Sequence, residues 1–438
     1  MLKKNATVGI YTLGCKVNQY ESQAMAEALI TGGIDVCSPS ERCDGYIINT
    51  CTVTAESDRK ARQFIRRAIN KNPSAFIVVT GCLAETAAES LTGISGVDAV
   101  VGNARKMESV RVMLELFGGG EKNSQPTVYR EALEGADFEQ MSITRFDRTR
   151  AYVKIEDGCE NRCTYCIIPS ARGKVRSKPF DEVMSEVCGL VKGGCREVVL
   201  TGIETASYGK DLEGVTLGGL LSAVDKIEGI GRVRLGSLDP SLIKEELVDR
   251  IAELSSLAPH FHLSLQSGSS RILALMKRKY NARQAMEAIL LLRSRLPRVQ
   301  FTTDVIVGFP TETEEDFLKT YEFLKNARFL MVHIFPYSKR AGTPAAEMDG
   351  QVPEDVKKER LHKLEALTSD IRREILTEEI EKYPVRKVLF ETYADGMAYG
   401  HTPEFLEVGV RSSVSLHGEV REVILKSHDG NICYGDLT

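Results

Sequence analysis

The sequence predicts an α/β chain of three domains: an amino-terminal βαβ parallel-sheet domain, a central partial (β/α)6 barrel and a small carboxyl-terminal β-barrel. Three observations carry this. Short β-branched or aromatic runs alternate with helical patterns over residues 1–117. A second, longer β/α series follows a break rich in glycine, proline and polar residues. After Pro384 the helical period gives way to short β runs separated by polar turns.

In the first domain the strands are Thr7 to Tyr11, Gly45 to Asn49 and Phe76 to Thr80, with helices from Glu21 to Thr31 and Ala55 to Asn70. The segment from Gly118 to Pro126 has no periodic apolar face, which places a linker at 118–145. Six strands follow within 146–380: Ala151 to Ile155, Val198 to Leu200, Arg232 to Leu235, His260 to Leu263, Thr302 to Val307 and Leu330 to Phe335. Strand count alone leaves an open doubly wound sheet as the alternative to a partial barrel. Val356 to Ile380 is a long charged helix whose Leu361, Leu364, Leu367, Ile371 and Ile375 form one apolar stripe. In 381–438 the runs Val385 to Thr392, Met397 to Gly400, Leu406 to Val410, Ser413 to Leu416 and Glu419 to Ile424 make a small β-barrel.

At 438 residues and 48.4 kDa, with 42% hydrophobic and 27% charged residues, the chain has the composition of a soluble globular protein and not of a disordered or collagen-like one. The start Met1-Leu2-Lys3-Lys4 opens too short an apolar run for a signal peptide, and no stretch approaches the ~18 apolar residues of a membrane span. A cytoplasmic protein without membrane contact is expected. A net charge of −4 argues against nucleic-acid binding through bulk positive charge, while leaving local patches open. Eleven cysteines, an odd number, point to thiols or metal ligands in a reducing compartment.

Three of those cysteines fall within eight residues, in Cys159-Glu160-Asn161-Arg162-Cys163-Thr164-Tyr165-Cys166, directly after the strand ending near Ile155. Soft thiolates at this spacing favour an iron–sulfur cluster, zinc or copper(I), and an unliganded set stays possible. A structural zinc site wants a fourth ligand, and Cys188 and Cys195 lie more than twenty residues away beyond a helix. Cys15, Cys51 and Cys82 form a dispersed set, each after the carboxyl end of a predicted parallel strand. Their intervals are about one βαβ unit, so neighbouring strands deliver three thiols to one edge of the sheet. Core packing is the alternative for each of them alone. Cys37, Cys43, Cys188, Cys195 and Cys433 have no such partners and are read as structural.

The C-x3-C-x2-C loop at the end of a first barrel strand resembles the radical S-adenosylmethionine enzymes. Together with the dispersed cysteines and the terminal β module, the chain resembles over almost its whole length the methylthiotransferases of that superfamily. The segment Thr12-Leu13-Gly14-Cys15-Lys16-Val17-Asn18-Gln19-Tyr20-Glu21-Ser22 is similar to the subgroup acting on N6-threonylcarbamoyladenosine at position 37 of tRNA. Lys16-Val17 matches neither the isopentenyladenosine subgroup nor the ribosomal-protein subgroup.

The resemblance implies two [4Fe-4S] clusters, one on Cys159, Cys163 and Cys166 and a second on Cys15, Cys51 and Cys82. The first would cleave S-adenosyl-L-methionine to a 5′-deoxyadenosyl radical that takes hydrogen from C2 of the adenine; the second would carry the methylthio group transferred there. It also implies a radical-SAM barrel, a TRAM-like RNA-binding module, a tRNA anticodon stem-loop as substrate, a one-electron reductant such as flavodoxin or ferredoxin, a sulfur source and a monomer. Tyr165 is the aromatic before the last ligand. For the S-adenosylmethionine pocket, the rule that barrel sites line the carboxyl ends of strands favours Gly193, Gly194, Thr201, Ser237, Ser264, Gln266 and Asp304. Helix capping is the alternative for Ser237 and a structural carboxylate for Asp304. Gly236-Ser237 and Glu204 depart from the family's usual paired serine and histidine.

Three tracts are basic without an acid: Arg59, Lys60, Arg62, Arg66, Arg67 and Lys71; Arg172, Lys174, Arg176 and Lys178; and Arg271, Lys277, Arg278, Lys279 and Arg283. In a net-negative chain they are candidate phosphate contacts. The terminal module, with six basic and nine acidic residues, has the opposite sign. Its Arg386, Lys387, Arg411, Arg421 and Lys426 on one face, with Tyr393, Tyr399 or Phe405 stacking on a base, are the RNA-binding expectation. Alternatives are methylthiolation of isopentenyladenosine-37 or of a ribosomal-protein aspartate, and a non-enzymatic iron–sulfur RNA-binding sensor.

Overall fold

A computed structural model describes residues 6–122, 125–146 and 149–438. The opening Met1 to Lys4 and the Asn123-Ser124 part of the expected linker lie outside the described residues. The first domain is an all-parallel sheet of β1 (Thr7–Thr12), β2 (Asp35–Cys37), β3 (Gly45–Thr50), β4 (Phe76–Gly81), β5 (Ala99–Val101) and β6 (Thr127–Tyr129), in the order β2-β1-β3-β4-β5-β6. Both faces are covered, as parallel strands require. Helices α1 (Lys16–Thr31) and α5 (Glu108–Phe117) bury Met25, Leu29, Val110 and Met113 against Val8, Ile47 and Val78. On the other face α2 (Ala55–Lys71), α3 (Cys82–Thr86) and α4 (Ala88–Thr92) bury Ala61, Ile65, Leu83 and Leu91 against Tyr46, Ile48 and Val79. Strands β2 and β5, three residues each, are additions to the sequence expectation, and two further details differ from it. Strand β6 arises inside the segment read as linker, where three residues are too few to show a period. Cys37 and Cys43 are joined as a disulfide, because the loop after β2 turns Cys43 back beneath β1.

The second domain contains β7 (Arg150–Lys154), the short pair β8 (Glu156–Asp157) and β9 (Arg176–Ser177), then β10 (Glu197–Thr201), β11 (Arg232–Leu235), β12 (Ser237–Leu238), β13 (His260–Gln266), β14 (Gln300–Val307) and β15 (Met331–Pro336). The helices are α6 (Ile168–Arg172), α7 (Phe180–Lys192), α8 (Leu217–Val224), α9 (Glu245–Ala252), α10 (Ser270–Leu275), α11 (Ala282–Arg295), α12 (Glu314–Ala327) and α13 (Glu354–Lys382). Parallel pairing runs β7-β10-β11 and β12-β13-β14-β15, with the two pieces joined by a bridge between Val233 and Leu257. Among the described residues β7 and β15 do not pair, so this is a partial barrel open on one side. Helix α1 of the first domain packs along β7, and α13 along β15.

Strand alternation divides this barrel. Val153, Val198, Leu200, Leu235, Phe261, Leu263, Phe301 and Val305 form its core with the helices. The intervening residues, which include Arg150, Tyr152, Glu197, Arg234, His260, His262, Thr302, Asp304 and His333, line a polar concave face.

The carboxyl-terminal module is a closed, TRAM-like five-stranded barrel of β16 (Val385–Ala394), β17 (Met397–His401), β18 (Glu407–Arg411), β19 (Val420–His428) and β20 (Cys433–Leu437), ordered β16-β17-β18-β20-β19. The expected strand at Ser413 to Leu416 is instead a turn held by Ser412, and β20 closes the barrel after a turn at Asp429-Gly430. This module plugs the amino-terminal end of the partial barrel. Phe405 stacks on His260 and His401 at centroid distances of 4.4 and 4.8 Å, while Arg234 donates to the carbonyls of Pro403 and Thr402 and Arg232 to that of His401. Phe405 is therefore committed to the interface and is not free to stack on a base. Arg386 is likewise buried and paired with Glu379.

Glu197 holds this plug, accepting from Arg232 and Arg234 at 2.9 and 2.8 Å with Arg150 3.6 Å away. Burial alone would raise its carboxyl, yet Arg234, Arg150 and Arg232 bring it down to about 2 from an ordinary 4.5. Its contribution to stability is thus complete above pH 4.5 and is lost as pH falls towards 2. Glu197→Gln should cost about 3–5 kcal/mol by leaving buried arginines unpaired, and should speed proteolysis between α13 and β16 at neutral pH. Unchanged cleavage and an unchanged urea midpoint would contradict that role.

Candidate functional site: two cysteine trios facing one chamber

Cys15, Cys51 and Cys82 follow β1, β3 and β4, three neighbouring strands, so the parallel register brings them to one edge of the sheet. Close backbone approach makes this possible. A side chain at Gly14, whose φ is +98°, would stand 2.9 Å from the Cys51 sulfur, and one at Gly81, with φ +97°, would overlap the Thr50 backbone. Asn18 ties the loops together, its Nδ2 donating to the carbonyls of Leu13 at 2.7 Å and Thr50 at 3.0 Å. Cys15 caps α1 and is exposed, whereas Cys51 and Cys82 are buried.

Cys159, Cys163 and Cys166 lie in the loop between β8 and α6. Each sulfur meets an N–H donor: Asn161 N on Cys159 and Ile168 N on Cys166, both at 3.4 Å, and Arg278 Nη1 on Cys163 at 3.2 Å. Burial pushes Cys159 up to about 12 and Cys51 and Cys166 up to about 11, so these are neutral thiols that release protons when a metal binds. Among the described residues no group of three His, Cys, Asp or Glu already converges as a closed metal set.

The two trios are brought together by a buried ion network. The carboxylate of Glu21, on α1, accepts from Arg172 at 3.0 Å, from Lys154 at 2.9 Å and from Lys106. Asp157, two residues before Cys159, accepts from the same Arg172 and Lys154 at 2.8 and 2.9 Å. Arg172 also donates to Asn18 Oδ1 at 2.6 Å, reaching from the loop of one trio to the loop of the other. Burial would raise the Glu21 carboxyl, but Arg172, Lys106 and Lys154 hold it well below the usual carboxylate range. Helix α3, which starts at Cys82, packs on α6, which follows Cys166, and these two thiols lie within electrostatic reach of each other. A second bridge runs from Arg340, after β15, to Thr52 and Asp58 beside Cys51.

This donor set fits iron–sulfur clusters. The network has more buried cations than carboxylates, and Arg172 Nε and Arg176 Nη1 have no hydrogen-bond partner among the described residues. Thiolates at Cys15 and Cys82, whose fields act on Arg172, would balance that excess.

Thr201, Ser237, Ser264 and Asp304 lie on the concave face, and Gln266 at the carboxyl end of β13 has φ +67°. Asp304 is paired with His262 at 3.3 Å and is not a sealed structural carboxylate; Asp239, not Ser237, caps the following turn. Tyr165 packs with Ile272, Met276, Phe309 and Tyr337, beside Arg278. Gly193 and Gly194 require correction. They end α7 and precede β10, at the opposite end of the barrel from the cysteine loop, because a glycine before a strand serves its amino end.

Sequence reasoning set Arg278 and Arg172 among the phosphate contacts and gave Glu204 no role at the site. Arg278 joins Cys163 to Asp239 from more than a hundred residues downstream, with nothing in its local pattern to show it. Glu204 has a carboxyl pushed up to about 7 by burial and by Asp239.

The basic tracts are partly consumed by the fold. Arg172, Arg176 and Lys178 are buried, Arg271 pairs with Asp316 and Arg283 with Glu287. A basic surface remains on α2, with Arg59, Lys60, Arg66 and Arg67 exposed, and after α10, with Lys277, Lys279 and Arg283 exposed.

A partial (β/α)6 barrel with a three-cysteine loop after its first strand defines a radical S-adenosylmethionine enzyme. The Radical SAM superfamily model matches residues 153–324, and the model of Uncharacterized protein family UPF0004 matches 7–102. The chain is 40% identical over 429 residues to threonylcarbamoyladenosine tRNA methylthiotransferase MtaB of Bacillus subtilis, covering 96% of this chain and 94% of that one. It is 42% identical over 368 residues to MtaB of Aquifex aeolicus, covering 84% and 89%, and 35% identical over 426 residues to the tRNA-2-methylthio-N(6)-dimethylallyladenosine synthase of that organism, covering 95% and 96%. In fold it is similar to the radical S-adenosylmethionine methyltransferase TsrM of Kitasatospora setae, with a TM-score of 0.57 at 16% identity over 78% of this chain and 77% of that one. The chain belongs to the radical S-adenosylmethionine methylthiotransferase family.

The ion network gives a direct test. Glu21→Gln leaves Arg172, Lys106 and Lys154 facing one another and should lower stability by about 3–5 kcal/mol in urea unfolding. Adding Lys106→Met should recover part of that loss, since the residues act as one unit. Strictly additive losses would contradict a shared network.

Proposed function

We propose that the chain methylthiolates C2 of N6-threonylcarbamoyladenosine at position 37 of tRNA, giving 2-methylthio-N6-threonylcarbamoyladenosine. The observation that carries this reading is the Glu21–Arg172–Asp157 network, which ties the loops of both cysteine trios together in a chain with the relatives described above. Cys159, Cys163 and Cys166 would hold one [4Fe-4S] cluster and Cys15, Cys51 and Cys82 the other. When bound, these groups supply reductive cleavage of S-adenosylmethionine and a site for the sulfur to be transferred.

The chain's own residues do the rest. Arg278 donates to the Cys163 sulfur, a contact that favours the reduced, more negative state. Thr201, Ser237, Ser264, Gln266 and Asp304 offer polar groups for S-adenosylmethionine on the concave face. The terminal module shuts the amino-terminal end of the barrel, which keeps bulk water from that side of the chamber. Arg59, Lys60, Arg66 and Arg67 on α2 present phosphate contacts for the anticodon stem-loop. A one-electron reductant such as flavodoxin or ferredoxin and a sulfur source complete the reaction, in a cytoplasmic setting. No helix among the described residues is long and apolar enough to cross a membrane.

Nucleoside mass analysis of tRNA from cells lacking the protein should show loss of the 2-methylthio form and accumulation of its threonylcarbamoyl precursor. The reconstituted chain should bind about eight irons. The Cys15, Cys51, Cys82 triple alanine variant should keep about half of them and still cleave S-adenosylmethionine without transferring sulfur. An unchanged nucleoside profile would overturn the substrate, and a full iron load in the triple variant would overturn the second cluster.

A further inference from the structure

Every arginine and lysine on the concave face of the barrel is already engaged. Arg150 bonds Glu391 and His401, Arg232 and Arg234 bond Glu197, and Lys154 bonds Glu21 and Asp157. Lys16 is different. It is the first residue of α1, immediately after Cys15, and α1 packs along β7 at the open side of the barrel. Its ammonium lies within electrostatic range of Arg234, Arg150 and Glu197 on the floor of the chamber and of His260 and His333 on its far wall. The side chain is nevertheless exposed, and among the described residues it has no hydrogen bond or ion pair. A cation without a partner beside Arg150 and Arg234 is repelled by them, and an anionic ligand would offset that repulsion.

We propose that Lys16 is a specificity-determining residue that binds the carboxylate of the amino-acid substituent on the adenosine. This inference rests on the proposed substrate, whose threonyl group places a free carboxylate a few bonds from the reacting ring. A substituent that is purely hydrocarbon would leave the Lys16 charge unpaired in the chamber, so the same residue would discriminate against it. Position supports the role as well. Lys16 shares the turn that carries Cys15, so its grip on the substituent would set the adenine ring relative to the Cys15, Cys51, Cys82 trio, while Asn18 and Arg172 fix that turn to the Cys159, Cys163, Cys166 loop.

The test uses the reconstituted full chain and an anticodon stem-loop RNA bearing N6-threonylcarbamoyladenosine, compared with the same RNA whose threonyl carboxylate is converted to the primary amide. Affinity is read by fluorescence anisotropy and transfer by the KM for methylthio product. The unaltered protein should bind the acid about tenfold or more tightly than the amide, as a charge-assisted contact implies. Lys16→Met should weaken binding of the acid to the level of the amide and erase the preference, and Lys16→Arg should retain part of it. Equal binding of acid and amide by the unaltered protein would overturn the proposal without any variant being needed. So would an undiminished preference in Lys16→Met. If the unaltered protein fails to methylthiolate the acid RNA at all, it is the proposed substrate that falls. An altered iron content in Lys16→Met alongside an intact acid preference would place the residue with the Cys15, Cys51, Cys82 trio and count against substrate binding.

Discussion

Everything in the functional region depends on how one carboxylate, Glu21, is neutralised. It sits on a first-domain helix but takes its partners from both domains: Lys106 from its own, and Lys154 and Arg172 from the barrel. A buried carboxylate without those cations would not stay ionised, and those cations without it would repel one another. The two domains are therefore locked in one relative position by electrostatics as well as by the apolar contact of Tyr20 and Ala24 with the barrel core. Arg172 and Asp157 flank the cysteine loop, so the lock doubles as the frame on which both trios are mounted.

A polar lumen follows from the same logic at the other end. The barrel has too few strands to close, and its concave face carries arginine, glutamate and histidine where a closed barrel would pack aliphatic layers. Such a surface needs its own neutralisation, and Glu197 and the residues from His401 to Phe405 provide it. The carboxyl-terminal barrel is thus part of the chamber's construction. Its negative charge, unexpected for a module that holds RNA, is accounted for in part by Glu391 facing Arg150 and Glu404 facing Arg298.

Much of this was legible in the sequence. Strand periodicity located all six barrel strands, and the intervals between Cys15, Cys51 and Cys82 predicted thiols on one sheet edge, because a parallel sheet repeats its strand ends at the length of one βαβ unit. What the sequence hid was pairing over long range. Arg172 and Arg278 look like members of exposed basic tracts, since their counter-groups Glu21, Asp157 and Asp239 lie far away in the chain. Net charge misled as well: an average of −4 hides three basic tracts, of which the one around Arg172 is mostly buried while those on α2 and after α10 keep exposed cations. Strand β20 was missed although the Asp429-Gly430 turn marks its start.

The joining of the two trios is most directly tested by electron paramagnetic resonance on the reconstituted, reduced protein. If Glu21, Arg172 and Asp157 hold both sites over one chamber, the two clusters should show magnetic interaction in the unaltered chain, and that interaction should weaken in Glu21→Ala at equal iron content. Two independent signals with no interaction in the unaltered protein would contradict it.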